Sequence, residues 1–255
     1  MMTQEQIDIL SKYYRIDRFS IQREYLQLVF LSHLYQHKKS GELYFKGGTA
    51  LRLLYKSSRF SEDLDFTSNH NKTITEKIIT EVEKSIQSEL PELTISILYS
   101  GKDGVRYRIK YQTSDFKFPL VIRLDISAGK QFAALETSPI LSQFPIVNFP
   151  IVVHLSQKEI FAEKIRALMT RSKGRDLYDA WYLFEKGVVL DQELVKKKMD
   201  EVKKVYDKEM LLKKVSNFSD KQLHQDLAQF LPLNQKKIIP MIKYKLSEYI
   251  KNVQV

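Results

Sequence analysis

Two aspartates separated by one residue are the first feature of the sequence that could do chemistry. In Asp63-Leu64-Asp65-Phe66, polar and apolar residues alternate as in a strand with one buried face, so both carboxylates project from the other face. Carboxylate oxygens are hard ligands of the kind that Mg²⁺ prefers, usually together with substrate phosphates. The pair therefore predicts a site for a magnesium-bound phosphate substrate, and a solvated strand edge is the alternative interpretation.

A third aspartate lies in a second alternating segment. Between Leu120 and Ser127 every second residue is Leu or Ile, which leaves Arg123 and Asp125 together on the opposite face. Three carboxylates around two metal ions could stabilise both the entering and the leaving oxygen of an in-line displacement at phosphorus. Three acids are costly to gather without cations, so Asp63, Asp65 and Asp125 together predict metal-dependent phosphate chemistry.

A double glycine precedes these acids at a predicted strand-to-helix turn. Without side chains, Gly47 and Gly48 let the backbone approach phosphate oxygens closely, and Thr49 adds a hydroxyl at the start of a helix. Lys46 and Arg59 flank this region and are candidate phosphate contacts. A double glycine before a helix is also a common steric turn, and surface Lys and Arg residues often bind nothing specific.

These residues resemble a known family when they are taken together. The run Phe45–Leu51, followed by Arg59–Phe66, is similar to the first motif of the AbiEii/AbiGii toxin family, which belongs to the nucleotidyltransferase superfamily with the polymerase-beta-like fold. Asp125 within Ile122–Ile126 matches the third acid of that superfamily. Two later stretches, Lys158–Leu168 and Arg175–Asp179, resemble the family's later motifs. The matches occur in the family's order.

The resemblance implies roles for the residues of the first motifs. Asp63 and Asp65 would bind magnesium, with Asp125 as a further ligand that helps to deprotonate or orient the attacking group. Gly48 and Thr49 would hold the triphosphate, next to Gly47.

The later motifs would supply further nucleotide contacts. By resemblance, Lys164 would touch phosphate and Asp176 would help to place the nucleotide or the acceptor. Arg175 would pair with phosphate or with Asp179, which lies in the same motif. The alternative for Lys164 is a solvated lysine beside Glu163, and the alternative for Asp176 is a helix N-cap, which stabilises a helix by about 1 kcal/mol.

The resemblance implies a magnesium-dependent transfer of a nucleotidyl group from a nucleoside triphosphate to a hydroxyl. It further implies an RNA acceptor, with tRNA as the first candidate, and a cognate antitoxin in a bacterial toxin–antitoxin or phage-defence system. Two alternatives stay open: phosphoryl transfer to a protein or small molecule, and an inactive module of the same fold that binds RNA or protein.

Composition restricts the remaining possibilities. The 255 residues include 41 Lys and Arg against 31 Asp and Glu, a net charge of +10, which favours a polyanionic partner and equally fits solvated basic faces. The absence of cysteine excludes disulfides, thiolate zinc sites and cysteine nucleophiles. His33 and His37 are spaced as one helical face but lack a third ligand, so we interpret them as a surface pair. With no apolar segment of membrane-spanning length and no signal sequence, we expect a cytoplasmic protein without a membrane partner.

An α+β fold should position these residues. We expect a nucleotidyltransferase domain over residues 1–150, with N-terminal helices and a mixed or antiparallel sheet, and a helical region over 151–255 that completes the active-site cleft. The proline-punctuated stretch Pro139–Pro150 is the expected boundary. Helices are predicted from Thr3, over 21–38, 49–55, 75–90 and 156–171, and from Asp176, and strands over 43–45, 63–66, 93–99, 105–111 and 120–127.

Overall fold

A seven-stranded mixed sheet organises the first part of the chain in the computed structural model, which describes residues 1–113, 118–129 and 134–252. The strands are β1 Leu43–Lys46, β2 Asp63–Ser68, β3 Leu93–Gly101, β4 Gly104–Tyr111, β5 Leu120–Ala128, β6 Leu135–Pro139 and β7 Ile151–Leu155. Their order across the sheet is β3-β4-β5-β2-β1-β7-β6. The five strands predicted from the sequence are confirmed within two residues at either end.

Both parallel and antiparallel pairs occur in the sheet. β3 pairs with β4, β4 with β5 and β1 with β2 in antiparallel fashion, whereas β2 pairs with β5 and β1 with β7 in parallel. Such a mixed sheet confirms the predicted fold class. β6 and β7 were not predicted, and β7 lies within residues 151–255, where we expected a helical region.

Four helices accompany the sheet: α1 Gln4–Tyr14, α2 Arg18–Gln36, α3 Gly47–Leu53 and α4 Lys72–Gln87. A capping box begins α1, the helix predicted from Thr3, since Thr3 accepts from the backbone N–H of Gln6 and the Gln6 side chain accepts from the backbone N–H of Thr3. α2 begins earlier than predicted because Asp17 caps it. Gln27 is fully buried, like Leu26 and Leu28 beside it, so α2 is enclosed on more than one face.

After β7, the described residues form the α-helices α5 Gln157–Thr170, α6 Gly174–Glu185, α7 Gln192–Asp200, α8 Lys208–Ser216, α9 Asp220–Leu227 and α10 Ile239–Asn252. Ser156 caps α5 by accepting from the N–H of Glu159, as predicted. Tyr178, Trp181 and Tyr182 of α6 are buried and in ring contact, so these aromatic side chains pack in the interior.

Contacts divide the chain into two compact units. The first comprises Met1–Gln131 and Leu135–His154, and the second comprises Phe132–Ala134 and Leu155–Val255. The proline-punctuated stretch thus lies inside the first unit, where it connects β6 to β7. Within the described ranges, no helix combines the length and apolarity that crossing a bilayer requires.

Candidate active site

The three predicted acids share one face of the sheet at the parallel pair β2–β5. Asp65 lies opposite Asp125 in register, and Asp63 lies opposite Arg123. Leu64 of β2, which points to the other face, is fully buried. The alternation of each strand therefore turns its carboxylates to the same side, as the sequence predicted.

Two arginines bind these acids. The Arg123 guanidinium bridges two of them, with its Nη2 2.7 Å from an Asp63 oxygen and its Nε 2.9 Å from an Asp125 oxygen. Arg106, opposite Asp125 on β4, donates from its Nε to the other Asp125 oxygen. Its hydrogen bond to Asp125, together with the charges of the nearby acids, raises the pKa of Arg106. Asp63 and Asp125 are thus paired with the protein's own cations, of which Arg106 was not predicted.

The double glycine makes room for two charged side chains. Gly47 has a φ of 78°, in the left-handed region, and a Cβ there would lie 2.2 Å from Oδ2 of Asp65. A Cβ on Gly48 would lie 2.2 Å from Nη2 of Arg59. Any larger residue at position 47 would therefore strain the backbone and displace the Asp65 carboxylate.

Thr49 and Arg59 face the protein interior. Thr49 is fully buried, and its hydroxyl donates to the backbone carbonyl of Asp63, which ties the start of α3 to β2. Arg59 is buried and donates from Nη1 to the carbonyl of Phe60 at 3.0 Å, so the alternative of a non-specific surface arginine is wrong. Lys46 lies opposite Asp65 in the β1–β2 register.

Helix α2 fixes the elements that carry the site. Glu24 of α2 is buried and accepts two hydrogen bonds, of 2.9 and 3.2 Å, from the Arg52 guanidinium of α3. The Gln27 amide donates to the carbonyl of Ser61, just before β2, at 3.0 Å. These contacts hold α3 and the start of β2 against the same helix.

The donor chemistry suits a divalent cation, but no closed cage exists. In the described part of the chain, no three Asp, Glu or His side chains converge as ligands of one metal ion. The side chains of Asp63 and Asp125 are 18% and 24% exposed, and their charges are already compensated by arginines. Hard oxygen donors on one accessible face therefore fit Mg²⁺ once Arg123 releases them.

In the second unit, Lys164 of α5 lies between two buried carboxylates of α6. Its Nζ is 3.2 Å from Asp176 and 2.8 Å from Asp179, and its side chain is 12% exposed. The alternative of a solvated lysine is therefore wrong. Arg171 adds a bidentate contact to Asp176 at 2.8 and 3.1 Å, a partner that the sequence did not indicate.

The two cations determine the charge state of Asp176. Burial alone would raise the pKa of this carboxyl, but Lys164 and Arg171 lower it further than burial raises it, to about 2. Asp176 is in the first turn of α6, whose N-cap is Lys173, so the N-cap alternative is wrong. The Arg175 guanidinium of the same turn lies 5.4 Å from the centre of the Phe230 ring.

The sequence and the fold of the chain are similar to those of known proteins. A protein from Aquifex aeolicus (strain VF5), aq_aa25, is 28% identical over 217 residues, which are 83% of this chain and 89% of the relative. The fold is similar to MenT4, a nucleotidyltransferase toxin from Mycobacterium tuberculosis H37Rv, with a TM-score of 0.70, 18% identity and coverage of 100% and 91% of the two chains. It is also similar to JHP933 from Helicobacter pylori, with a TM-score of 0.59, 21% identity and 93% coverage of each.

The family comparison covers most of the molecule. Residues 29–241 match the family described as the nucleotidyl transferase AbiEii toxin of type IV toxin–antitoxin systems. This range includes the acids of β2 and β5 and the ion-pair cluster of α5 and α6. The chain therefore belongs to the AbiEii family of nucleotidyltransferase toxins.

Proposed function

We propose that this nucleotidyltransferase uses magnesium to transfer a nucleotidyl group from a nucleoside triphosphate to a hydroxyl of RNA, with tRNA as the first acceptor to test. The observation that carries the proposal is the β2–β5 register, which sets Asp65 beside Asp125 and Asp63 two residues earlier on the same face. Asp63, Asp65 and Asp125 would hold the metal, which would supply charge neutralisation at the phosphates and the leaving group.

The protein's own residues would perform the remaining steps. The acceptor oxygen attacks the α-phosphorus while the bond to the bridging oxygen breaks and pyrophosphate leaves. Asp125 orients the acceptor hydroxyl and accepts its proton. Arg106 and Arg123, which neutralise the acids in the free protein, would turn towards phosphate oxygens, since guanidinium groups bind phosphate with the same fork geometry as carboxylate.

The glycine turn would act mainly by positioning. The Asp65 carboxylate occupies the space where a Cβ of residue 47 would lie. The glycine at this position therefore determines where that carboxylate lies. Thr49 would hold β2 through the Asp63 carbonyl, and Gly48 would leave room for Arg59. Phosphate contacts from these backbone groups and from Lys46 and Arg59 remain part of the proposal.

In the second unit, we propose that the cluster around Lys164 contacts the nucleotide or the acceptor. The support is a pair of buried carboxylates in a family motif, Asp176 and Asp179, which both contact the Lys164 ammonium. Arg175 of the same turn would add a phosphate contact. We also propose two domains, over residues 1–150 and 151–255. We further propose a cytoplasmic location, where nucleoside triphosphates and tRNA are available.

Charge supports a nucleic-acid acceptor. Of the 41 Lys and Arg residues 21 follow His154, but only 14 of the 31 Asp and Glu residues do, so +7 of the net +10 belongs to the C-terminal 101 residues. Phosphate backbones are attracted to such basic segments and release counterions on binding. Family membership supports an antitoxin partner and a nucleoside triphosphate substrate.

The proposal is tested by determining which phosphate of the triphosphate is transferred to the RNA. Purified protein is incubated with magnesium, total tRNA and each nucleoside triphosphate, labelled at either the α- or the γ-phosphate. We expect RNA to acquire label from the α-phosphate only. Label from the γ-phosphate alone would instead indicate phosphoryl transfer, and unlabelled RNA beside a labelled protein or small molecule would overturn the RNA acceptor.

A further inference from the structure

A second polar cluster lies away from the acids, at the edge of the sheet opposite to β3. It joins Ser138 of the edge strand β6 to His154 of β7, and His154 to Tyr55 and Glu136. His154 is fully buried, whereas Ser138 is partly exposed and Glu136 is exposed. The cluster therefore runs from the surface through a buried histidine and back to the surface.

The hydrogen bonds of this cluster have one consistent direction. The Tyr55 hydroxyl has a single hydrogen and donates it to Glu136 Oε2 at 3.1 Å. Burial, and then the charge of Glu136, raise the pKa of Tyr55, so the phenol keeps that hydrogen. His154 Nδ1, 3.2 Å from the Tyr55 oxygen, must then carry a proton and donate it.

This direction fixes the tautomer of the histidine. A neutral imidazole that is protonated at Nδ1 has a lone pair at Nε2, and Nε2 lies 3.0 Å from the Ser138 hydroxyl oxygen. In this tautomer Ser138 donates to the lone pair of a buried imidazole nitrogen, and the Tyr55 phenol orients the other side of the ring. A nucleophile, a base and a group that orients the base are the parts of an activated hydroxyl.

We propose that Ser138 is a self-modification site that accepts the nucleotidyl group. The bond from Ser138 Oγ to the α-phosphorus of a nucleoside triphosphate forms as the bond to the bridging oxygen breaks. Pyrophosphate leaves with the electron pair of that bond, and the serine proton moves to Nε2 of His154. The nucleoside triphosphate as nucleotidyl donor and the chemistry of the transfer rest on the proposed function.

The reaction occurs between two copies of the chain. Phe45 of β1 is in register with His154, whereas the next residue, Lys46, is in register with Asp65. Neighbouring residues of a strand point to opposite faces, so the His154 ring and the Asp65 carboxylate lie on different faces of the sheet. Ser138 on the edge strand β6 is instead accessible to the nucleotide-loaded acids of a second copy.

The first test is mass spectrometry of the full chain after incubation with magnesium and each nucleoside triphosphate. We expect one added nucleoside monophosphate that maps to Ser138. Ser138→Ala removes the adduct and still labels RNA, while Ser96→Ala, which alters an exposed serine of the other edge strand β3, retains the adduct. Wild-type protein should modify Asp65→Asn protein added to the same reaction. RNA labelling without an adduct on Ser138 overturns the self-modification and leaves the proposed function intact.

The second test needs neither metal nor nucleotide. A fluorophosphonate probe, which reacts with activated serines, should label Ser138 in wild-type and Asp65→Asn protein alike. His154→Gln should slow labelling by about a hundredfold, the usual effect of losing a general base. Tyr55→Phe, which keeps the ring and removes the hydroxyl that accepts from His154, should slow labelling by about tenfold. Absence of probe on Ser138, or equal labelling rates in Tyr55→Phe and wild type, overturns the activation of this hydroxyl.

Discussion

At the scale of single residues, Gly47 positions the site as much as the charged residues do. Its φ of 78° is unfavourable for any side chain, and the space where a Cβ would stand is occupied by the Asp65 carboxylate. Gly47→Ala should therefore destabilise the fold by about 1 to 2 kcal/mol and also abolish nucleotidyl transfer, because Asp65 moves. Urea unfolding and the RNA-labelling rate measure the two effects separately.

Gly187→Ala is the matched control for this change. Gly187 has a φ of 75°, but nothing lies within 4 Å of the position of its Cβ. The control variant should lose a similar free energy of unfolding and keep its labelling rate. Equal activity of the Gly47→Ala and Gly187→Ala variants would show that the glycine at position 47 does not position Asp65 for the reaction.

Asp176 makes stability depend on pH in the acidic range. Lys164 and Arg171 hold the pKa of this buried carboxyl at about 2, below its ordinary value of 3.8. The ionised group therefore stabilises the fold at neutral pH, and this contribution is lost as the pH falls from about 4 towards 2. Asp176→Asn should lower the free energy of unfolding at pH 7 by at least about 2 kcal/mol, and the difference from wild type should shrink below pH 4.

Urea unfolding of both proteins at pH 7, 5, 4 and 3 checks this expectation. Glu193→Gln is the control, since Glu193 is an exposed acid of the same unit that pairs with Lys196 at the surface. Its effect should stay within about 0.5 kcal/mol at every pH. A penalty for Asp176→Asn that stays constant from pH 7 to 3 would contradict the assigned charge state.

The sequence predicted the acids of the candidate site better than their partners. Alternation alone places Asp63, Asp65 and Asp125 on exposed strand faces, because the period of a strand is local information. Arg106 also lies on an alternating strand, but its pairing with Asp125 depends on the β4–β5 register, which periodicity does not report. The same holds for Arg171, whose contact with Asp176 requires the chain to reverse between α5 and α6.

At the scale of elements, features that depend on nearby residues were also predictable, whereas features that depend on distant contacts were not. The capped helices and the alternating strands β2, β4 and β5 were predictable, since each has its own period or cap. β7 reads Ile-Val-Val-His-Leu, and a short apolar run without alternation does not distinguish a buried strand from a helix. β6 has little apolar periodicity and ends at a proline, as edge strands can. β7 is instead defined by its pairing with β1, and β6 by its pairing with β7.

A buried ion pair between α5 and α7 gives an element-scale prediction. Lys198 of α7 is 2.9 Å from Glu159 of α5, and their side chains are 4% and 0% exposed. Lys198→Met should destabilise the protein by about 3 kcal/mol, because it leaves a buried carboxylate without its cation. The double variant Lys198→Met/Glu159→Leu should regain most of this loss.

The double-mutant cycle is measured by urea unfolding at pH 7. Lys197→Met, a change at the adjacent and exposed lysine, is the control and should alter stability by less than about 0.5 kcal/mol. Additive penalties in the cycle would contradict a direct interaction across the α5–α7 contact.

At the scale of the whole molecule, the uneven charge predicts how RNA binding depends on salt. The exposed Lys197 and Lys204 belong to the C-terminal 101 residues, which carry +7 of the net charge. Neutralising both to Gln should weaken tRNA binding and reduce the slope of log Kd against log salt by about 2, one for each lost phosphate contact. Lys84→Gln/Lys102→Gln removes the same charge from the first unit and should leave the slope nearly unchanged. Equal slopes for the two double variants would contradict a localised RNA contact.

The central claim is that the acids of β2 and β5 catalyse nucleotidyl transfer, and the rate of RNA labelling from an α-labelled triphosphate tests it most directly. Asp65→Asn and Asp103→Asn each remove one carboxylate, the first from the acid face and the second from the exposed turn between β3 and β4. With both variants folded as wild type, we expect Asp65→Asn to lower the rate by about a hundredfold or more and Asp103→Asn to leave it unchanged. A wild-type rate in the Asp65→Asn protein would contradict the account.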